Sequence, residues 1–307
     1  MTNARIYGLI CALLLIVAAV ETTCAQPRRQ RVRPTHADVK YGQHERNVMD
    51  VWLAESEQPT PVLVSIHGGG FRGGNKSVEP ALLTACLEAK ISVVAITYRL
   101  SHHAIAPAQF HDSARAVQFI RSKAEDWNLD GTRVASVGGS AGAGISLWLG
   151  FHDNSAENNI HVPVARQSTR LTCMSVYNGQ TTYDPREIRK LFPNTDTYQH
   201  PALAQLYDVD LNRLDDLPEE KYKLFTECSA MPHLTKDDAP AMLSYARDFD
   251  TPITNQSIGI HHPRFGKVLK EKMNELSIPC EVKTNVRRGD AAWVEATLAF
   301  VKKHFGM

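Results

Sequence analysis

Short apolar runs alternate with longer amphipathic stretches from Val48 almost to the C-terminus, and this alternation predicts the fold class. Val48–Leu53 and Pro61–Ile66 read as strands, and Glu79–Ala89 as a helix. Ile91–Tyr98 is apolar and rich in β-branched residues, as a parallel strand buried on both faces must be. Pro107–Trp127 reads as an amphipathic helix with Ala114, Val117, Ile120 and Ala124 along one face. Asp130-Gly131 predicts a turn into the strand Arg133–Val137, followed by a small-residue helix over Ala141–Phe151. Strands at Leu171–Tyr177, Ala239–Ala246 and Cys280–Val286, with helices at His262–Leu276 and Ala291–Phe305, complete the series. Such a series specifies an α/β architecture, a mostly parallel sheet with helices on both faces. From about 179 to 229 the strand signal stops. The segment turns polar, helical and punctuated by proline, the pattern of a helical insertion resembling a cap.

The N-terminus has a different character. Arg5 precedes a nearly unbroken apolar run, Leu9–Val20, and Thr23-Cys24-Ala25 offers small residues before Gln26. Residues 1–25 therefore read as an export signal, and 26–38 as a polar linker. The apolar run is short beside the roughly 20 residues a membrane-spanning helix needs. Periplasmic or secreted export, without stable membrane insertion after cleavage, is the expectation, with an uncleaved anchor as the alternative. The 307 residues carry a formal net charge of +1, so nothing argues for a nucleic-acid or broad anionic-membrane surface. The arginines at 28, 29, 31 and 33 read as a solvated tail. Beyond the signal, Cys86, Cys173, Cys228 and Cys280 allow three complete pairings. Free buried thiols, or at most one bridge, are expected. No Cys/His run has zinc spacing, and no metal or organic cofactor is implied.

The chemistry concentrates at Gly138-Gly139-Ser140-Ala141-Gly142, directly after an apolar strand and directly before a helix. A serine at such a turn projects its Oγ above the sheet edge, and the N–H of the next residue, Ala141, points to where an oxyanion would form. A second glycine segment, His67-Gly68-Gly69-Gly70-Phe71, follows the strand ending at Ile66. Without side chains, Gly69 and Gly70 can bring their N–H groups close to the same oxygen. Losing one donor of this kind typically costs about 10²–10³ in kcat.

With these two motifs in this order, residues 39–305 resemble the α/β-hydrolase family. His67-Gly68-Gly69-Gly70-Phe71 is similar to the H-G-G-G loop of hormone-sensitive-lipase-like esterases and lipases and of related carbohydrate esterases. Tyr98-Arg99-Leu100-Ser101, Pro107-Ala108 and His111-Asp112 are similar to the stretch that leads that family into the helix before the elbow. The resemblance implies a serine nucleophile, Ser140; an oxyanion hole from Gly69, Gly70 and Ala141; a loop-positioning role for His67; and an acid, then a histidine, further along the chain. Asp250, before Thr251-Pro252-Ile253, fits the acid better than Asp248.

The histidine departs from the pattern. The loop before the last helix, Asn285–Trp293, contains none, and Asp290 lies close to the expected position. After the acid loop the histidines are His261, His262 and His304. His304 belongs to the closing helix and reads as surface. His261 and His262 begin the preceding helix, with Pro263 at its first position. They read either as helix-start residues packed on the acid loop or as a displaced base. His102 and His103 follow a strand and could line a substrate entrance. Tyr183, Leu191, Phe192, Tyr198, Tyr207 and Phe225 of the insertion line either a pocket or a small core of their own. Two functions follow. One is an exported esterase acting through a Ser140 acyl-enzyme, on a small-molecule or polysaccharide-linked ester. The other is a catalytically impaired relative serving as a binding module. A base of another residue type in the last loop is a third, weaker route. Oligomeric state is open.

Overall fold

The structure is a computed structural model that describes residues 32–156 and 162–307. The expected signal, with Cys11, Cys24 and Arg28, Arg29 and Arg31, lies outside the described residues. Eight strands form one sheet in the order β1-β2-β4-β3-β5-β6-β7-β8. They are β1 (His36–Lys40), β2 (Val48–Trp52), β3 (Thr60–Ile66), β4 (Ser92–Ile96), β5 (Leu129–Gly139), β6 (Met174–Tyr177), β7 (Ala241–Ser244) and β8 (Cys280–Lys283). β1 pairs with β2 and β2 with β4 antiparallel at one edge, and the pairs from β4 to β8 are parallel.

Continuous apolar runs arise because the sheet is covered twice. In β3, Val62, Val64 and Ile66 face one apolar layer while Leu63 faces the other; in β4, Val94 and Ile96 oppose Val93 and Ala95 in the same way. Period-two geometry thus sends every residue of these strands into a core. One layer is closed by α1 (Pro80–Glu88) and α9 (Ala291–Phe305), through Leu82, Cys86, Trp293 and Val301. The other is closed by α2 (Ala108–Ser122), α3 (Ala141–Phe151) and α8 (Arg264–Glu275), through Phe110, Val117, Ile145 and Phe265.

Several boundaries differ from expectation. His36–Lys40 is an edge strand rather than linker; its polar sequence hides it, and pairing with β2 makes it. The helix from Pro107 stops at Ser122 instead of Trp127, and the chain turns through Asn128 in a left-handed conformation (φ 49°). β5 begins at Leu129 instead of Arg133, pairing Thr60 with Leu129 before a register shift. Pro263 caps α8 rather than opening it.

The insertion contains α4 (Pro185–Leu191), α5 (Pro201–Tyr207) and α6 (Glu219–Glu227), with 3-10 turns between them. Its buried Phe192, Tyr207 and Phe225 belong to the main core rather than to a separate one, and Leu191 and Tyr198 pack against that core half-buried. One short helix, α7 (Gln256–Ile260), lies between β7 and α8, where the sequence shows only a loop. Among the described residues no helix is long and apolar enough to cross a membrane.

Candidate active site

β3 and β5 are neighbours, with Ile66 beside Gly138, so the loops leaving their C-terminal ends meet at one sheet edge. Open parallel sheets place ligands at that edge. Ser140 stands there with φ 52° and ψ −119°, a left-handed conformation unusual for a residue with a Cβ. Such strain costs of order 1–3 kcal/mol and persists only where the surroundings fix it. Here the Ser140 N–H donates to the Tyr177 carbonyl at 2.9 Å, and α3 begins at the next residue. The helix can start so close because Gly142 has no side chain; a Cβ there would stand 2.1 Å from the Ile66 carbonyl oxygen. Gly69 is also required, with φ 104° and with the Gly73 carbonyl oxygen 2.4 Å from where its Cβ would be.

The Ser140 Oγ lies 2.9 Å from His261 Nε2. The other ring nitrogen, Nδ1, lies 2.9 Å from the Ser257 carbonyl oxygen. A carbonyl only accepts, so Nδ1 carries the proton and Nε2 presents a lone pair to the serine hydroxyl. Burial lowers the His261 pKa below its ordinary value; the Ser257 bond opposes this and the Arg247 charge adds to it. The imidazole is therefore neutral near pH 7. α7 presents the ring: Asn255 caps the helix, its Oδ1 accepting from the Ile258 N–H at 3.0 Å, and His261 follows its last residue. Buried Gln180 donates to the Ile260 carbonyl at 2.6 Å and accepts from the Tyr183 hydroxyl at 3.1 Å, tying this helix end to the chain leaving β6.

The other candidates are placed elsewhere. Among the described residues, Asp250 forms no hydrogen bond or ion pair with either histidine and is exposed. Asp248 accepts from Thr251 Oγ1 at 3.1 Å and from Asn285 Nδ2 at 3.4 Å, which fastens its own turn. His262 is buried; its Nε2–H donates to the Thr251 carbonyl at 3.2 Å and its Nδ1 accepts from the Arg264 N–H at 3.1 Å. It holds the α8 start onto the acid loop, so the pair splits between the two roles open to it.

In the last loop, Asp290 caps α9 by accepting from the Trp293 N–H at 2.8 Å. Arg288 takes the ground beside the elbow instead, its Nη1 2.3 Å from where a Cβ on Gly139 would stand. His304 is half-buried against Phe300, not a surface residue. His67 is buried and stacked on Tyr98 at 4.2 Å, and its Nδ1–H donates to the Gly68 carbonyl at 2.7 Å. Burial pushes its pKa down to about 4.

A cavity of about 230 Å³ opens at Ser140, with Gly69, Gly70, Ala141 and His261 in its wall. Of the six apolar insertion residues named above, Tyr183 reaches it. Arg72, Gln180, His200, Leu203 and Ile260 also line it, and pattern alone does not single them out. Gln180 had one signal, its position just past the C-terminal end of a parallel strand. Arg72 also borders a neighbouring cleft of about 680 Å³ with His102 and His103.

Known proteins resemble most of the chain. Over 245 residues it is 21% identical to an esterase, LipC, of Mycobacterium tuberculosis, covering 78% of this chain and 57% of that protein's length. Among solved structures, a truncated carbohydrate esterase from gut microbiota superposes with a TM-score of 0.68 at 17% identity, covering 89% of this chain and 96% of that one. An acetyl ester-xyloside bifunctional hydrolase from Caldicellulosiruptor lactoaceticus gives 0.67 at 16% identity, covering 84% and 88%. At such identities these two structures speak for the fold, that of the α/β-hydrolases. The BD-FAE family model matches residues 49–262, a span that holds the glycine loop, the elbow and His261, and the chain belongs to that family.

Proposed function

We propose that this protein is a carboxylic-ester hydrolase that works through a Ser140 acyl-enzyme with His261 as its base. The observation that carries the reading is the 2.9 Å contact between Ser140 Oγ and the unprotonated Nε2 of His261. In the first half-reaction Oγ attacks the ester carbonyl while its proton passes to Nε2. The N–H groups of Gly69, Gly70 and Ala141 receive the oxyanion. Collapse expels the alcohol, protonated from Nε2–H, and leaves the acyl group on Oγ. Water then attacks, gives its proton to Nε2, and releases the carboxylic acid and the free serine. Throughout, the Ser257 carbonyl holds Nδ1–H and the ring orientation.

A short acyl group, free or on a polysaccharide, is the substrate class we favour. The 230 Å³ cavity suits a small acyl chain, and two structural neighbours are described as a carbohydrate esterase and an acetyl ester-xyloside hydrolase. Export through residues 1–25 fits an extracellular polymer substrate and rests on the sequence pattern.

A second reading, a hydrolase fold kept for binding, is favoured by one observation: among the described residues no carboxylate bonds to His261, whose Nδ1 meets the Ser257 carbonyl instead. Hydrolysis of a short-chain aryl ester by wild type, Ser140→Ala and His261→Ala tests both, together with mass shift on a phosphonate label. Turnover and labelling that vanish in Ser140→Ala, with turnover lost in His261→Ala, support the enzyme. A wild type no faster than Ser140→Ala, and unlabelled, supports the binding protein.

A further inference from the structure

On the far side of α3 from the elbow, three potential ligands come together from distant parts of the chain. His152 follows the last residue of α3, Glu227 ends α6, and His233 closes the 3-10 turn Met231–His233. One ligand atom from each lies within 4.8 Å of the other two. His152 Nε2 is 3.1 Å from Glu227 Oε1, His233 Nε2 is 4.0 Å from Glu227 Oε2, and the two rings stand 4.6 Å apart. All three are half-buried, so the site is formed yet open to solvent.

The polarity at His152 is informative. Both of its ring nitrogens face acceptors, Nδ1 the Asp153 carbonyl at 3.1 Å and Nε2 the Glu227 carboxylate at 3.1 Å, while a neutral imidazole carries a single N–H. One of the two contacts therefore lacks a donor, and with the proton on Nδ1 the Nε2 lone pair and the carboxylate are free to take a metal ion together. His233 Nε2–H donates to the Glu227 carbonyl at 2.8 Å, but Trp148 Nε1–H also donates to that carbonyl, at 2.8 Å. Moving the His233 proton to Nδ1 therefore frees Nε2 for a metal without stranding the carbonyl.

We propose that His152, Glu227 and His233 bind a borderline first-row divalent cation such as Zn²⁺. Two imidazoles and one carboxylate are donors that zinc accepts, with a fourth position left to water. The spacing is invisible in sequence, because the ligands are separated by 75 and 6 residues. Bound there, the ion cross-links the end of the nucleophile helix to the end of the helical insertion. Its role is to fasten that insertion, and it stands apart from the ester chemistry.

The test is a Zn²⁺ titration of the purified protein by calorimetry, with thermal unfolding at each zinc level. Its variants are Glu227→Gln, the pair His152→Ala/His233→Ala, and the pair His102→Ala/His103→Ala from the other histidine cluster. The expected result is one ion per chain and a zinc-dependent rise in Tm. Both should be lost in the first two variants and kept in the third. The loss of affinity should exceed the roughly 10–100-fold that removing an outer partner of a metal ligand costs. Absence of stoichiometric binding in the wild type overturns the proposal. So does binding unchanged by Glu227→Gln and by the His152/His233 pair, or binding lost in the His102/His103 pair alone.

Discussion

Replacing Asp250 by Asn should leave catalysis nearly untouched, although its position in the chain is that of a triad acid. The prediction comes from the partner of His261 Nδ1, which is the Ser257 carbonyl at 2.9 Å, while Asp250 is exposed and forms no bond to the ring. In a triad whose carboxylate holds the histidine, Asp→Asn lowers kcat by about 10⁴. At about 1.36 kcal/mol per decade, that is some 5 kcal/mol of transition-state stabilisation. Nothing of that size is at stake here. An exposed side chain away from caps and cores changes energies by about 0.5 kcal/mol or less, so kcat/KM should stay within about twofold. The carbonyl carries its own consequence. A neutral acceptor stabilises the developing imidazolium less than a carboxylate does, by about 1 kcal/mol, or roughly fivefold in rate. The assay is short-chain aryl ester hydrolysis by wild type, Asp250→Asn and Asp248→Asn, with circular dichroism and Tm as controls on folding. His261→Ala sets the lower limit, since serine and histidine act as one unit and losing either costs about 10⁶. A loss beyond about 100-fold in well-folded Asp250→Asn would refute the reasoning, because the aspartate would then have to reach His261 during turnover.

Three further outcomes follow from the same geometry. Burial lowers the His261 pKa, so the ring stays neutral below the usual imidazole range; with His261 as the proposed base, the acidic limb of kcat/KM should fall below pH ~6.5, and a limb above it would count against that role. His67 has its pKa lowered from 6.5 to about 4. The unfolded chain therefore binds the extra proton first, and stability present above pH 6.5 is lost as pH falls through 4. This contribution is about 3 kcal/mol, and urea midpoints across that window should depend on pH less steeply in His67→Asn. Phe225 is fully buried in the main core, so Phe225→Ala should cost about 3–5 kcal/mol. It should also shift one urea transition rather than reveal a second, whereas a separate early transition would mean that the insertion folds by itself.

The sequence by itself determined the sheet, the elbow and the glycine loop, because these rest on local rules. Val62 to Ile66, apart from Ser65, and Val93 to Ile96 are apolar throughout, and only a strand covered on both faces buries them all. Gly142 must be glycine because strand and helix meet within a residue or two of Ser140, a constraint written in adjacent positions. Only the tertiary structure decided which histidine meets the serine. His261 and His262 are neighbours in one dipeptide, and nothing in their composition separates them. The short helix Gln256–Ile260 turns one ring to Ser140 and leaves the other on Thr251. That His261 Nδ1 meets Ser257 rather than Asp250 was equally hidden, since Ser257 supplies a backbone carbonyl, a group every residue type carries. The same holds for the insertion, whose aromatic residues read alike as cap or core until Phe192 and Phe225 are seen buried with the main sheet. Local spacing fixes what neighbours along the chain must do, while contacts between residues 121 positions apart, like that of Ser140 and His261, exist only once the chain is packed.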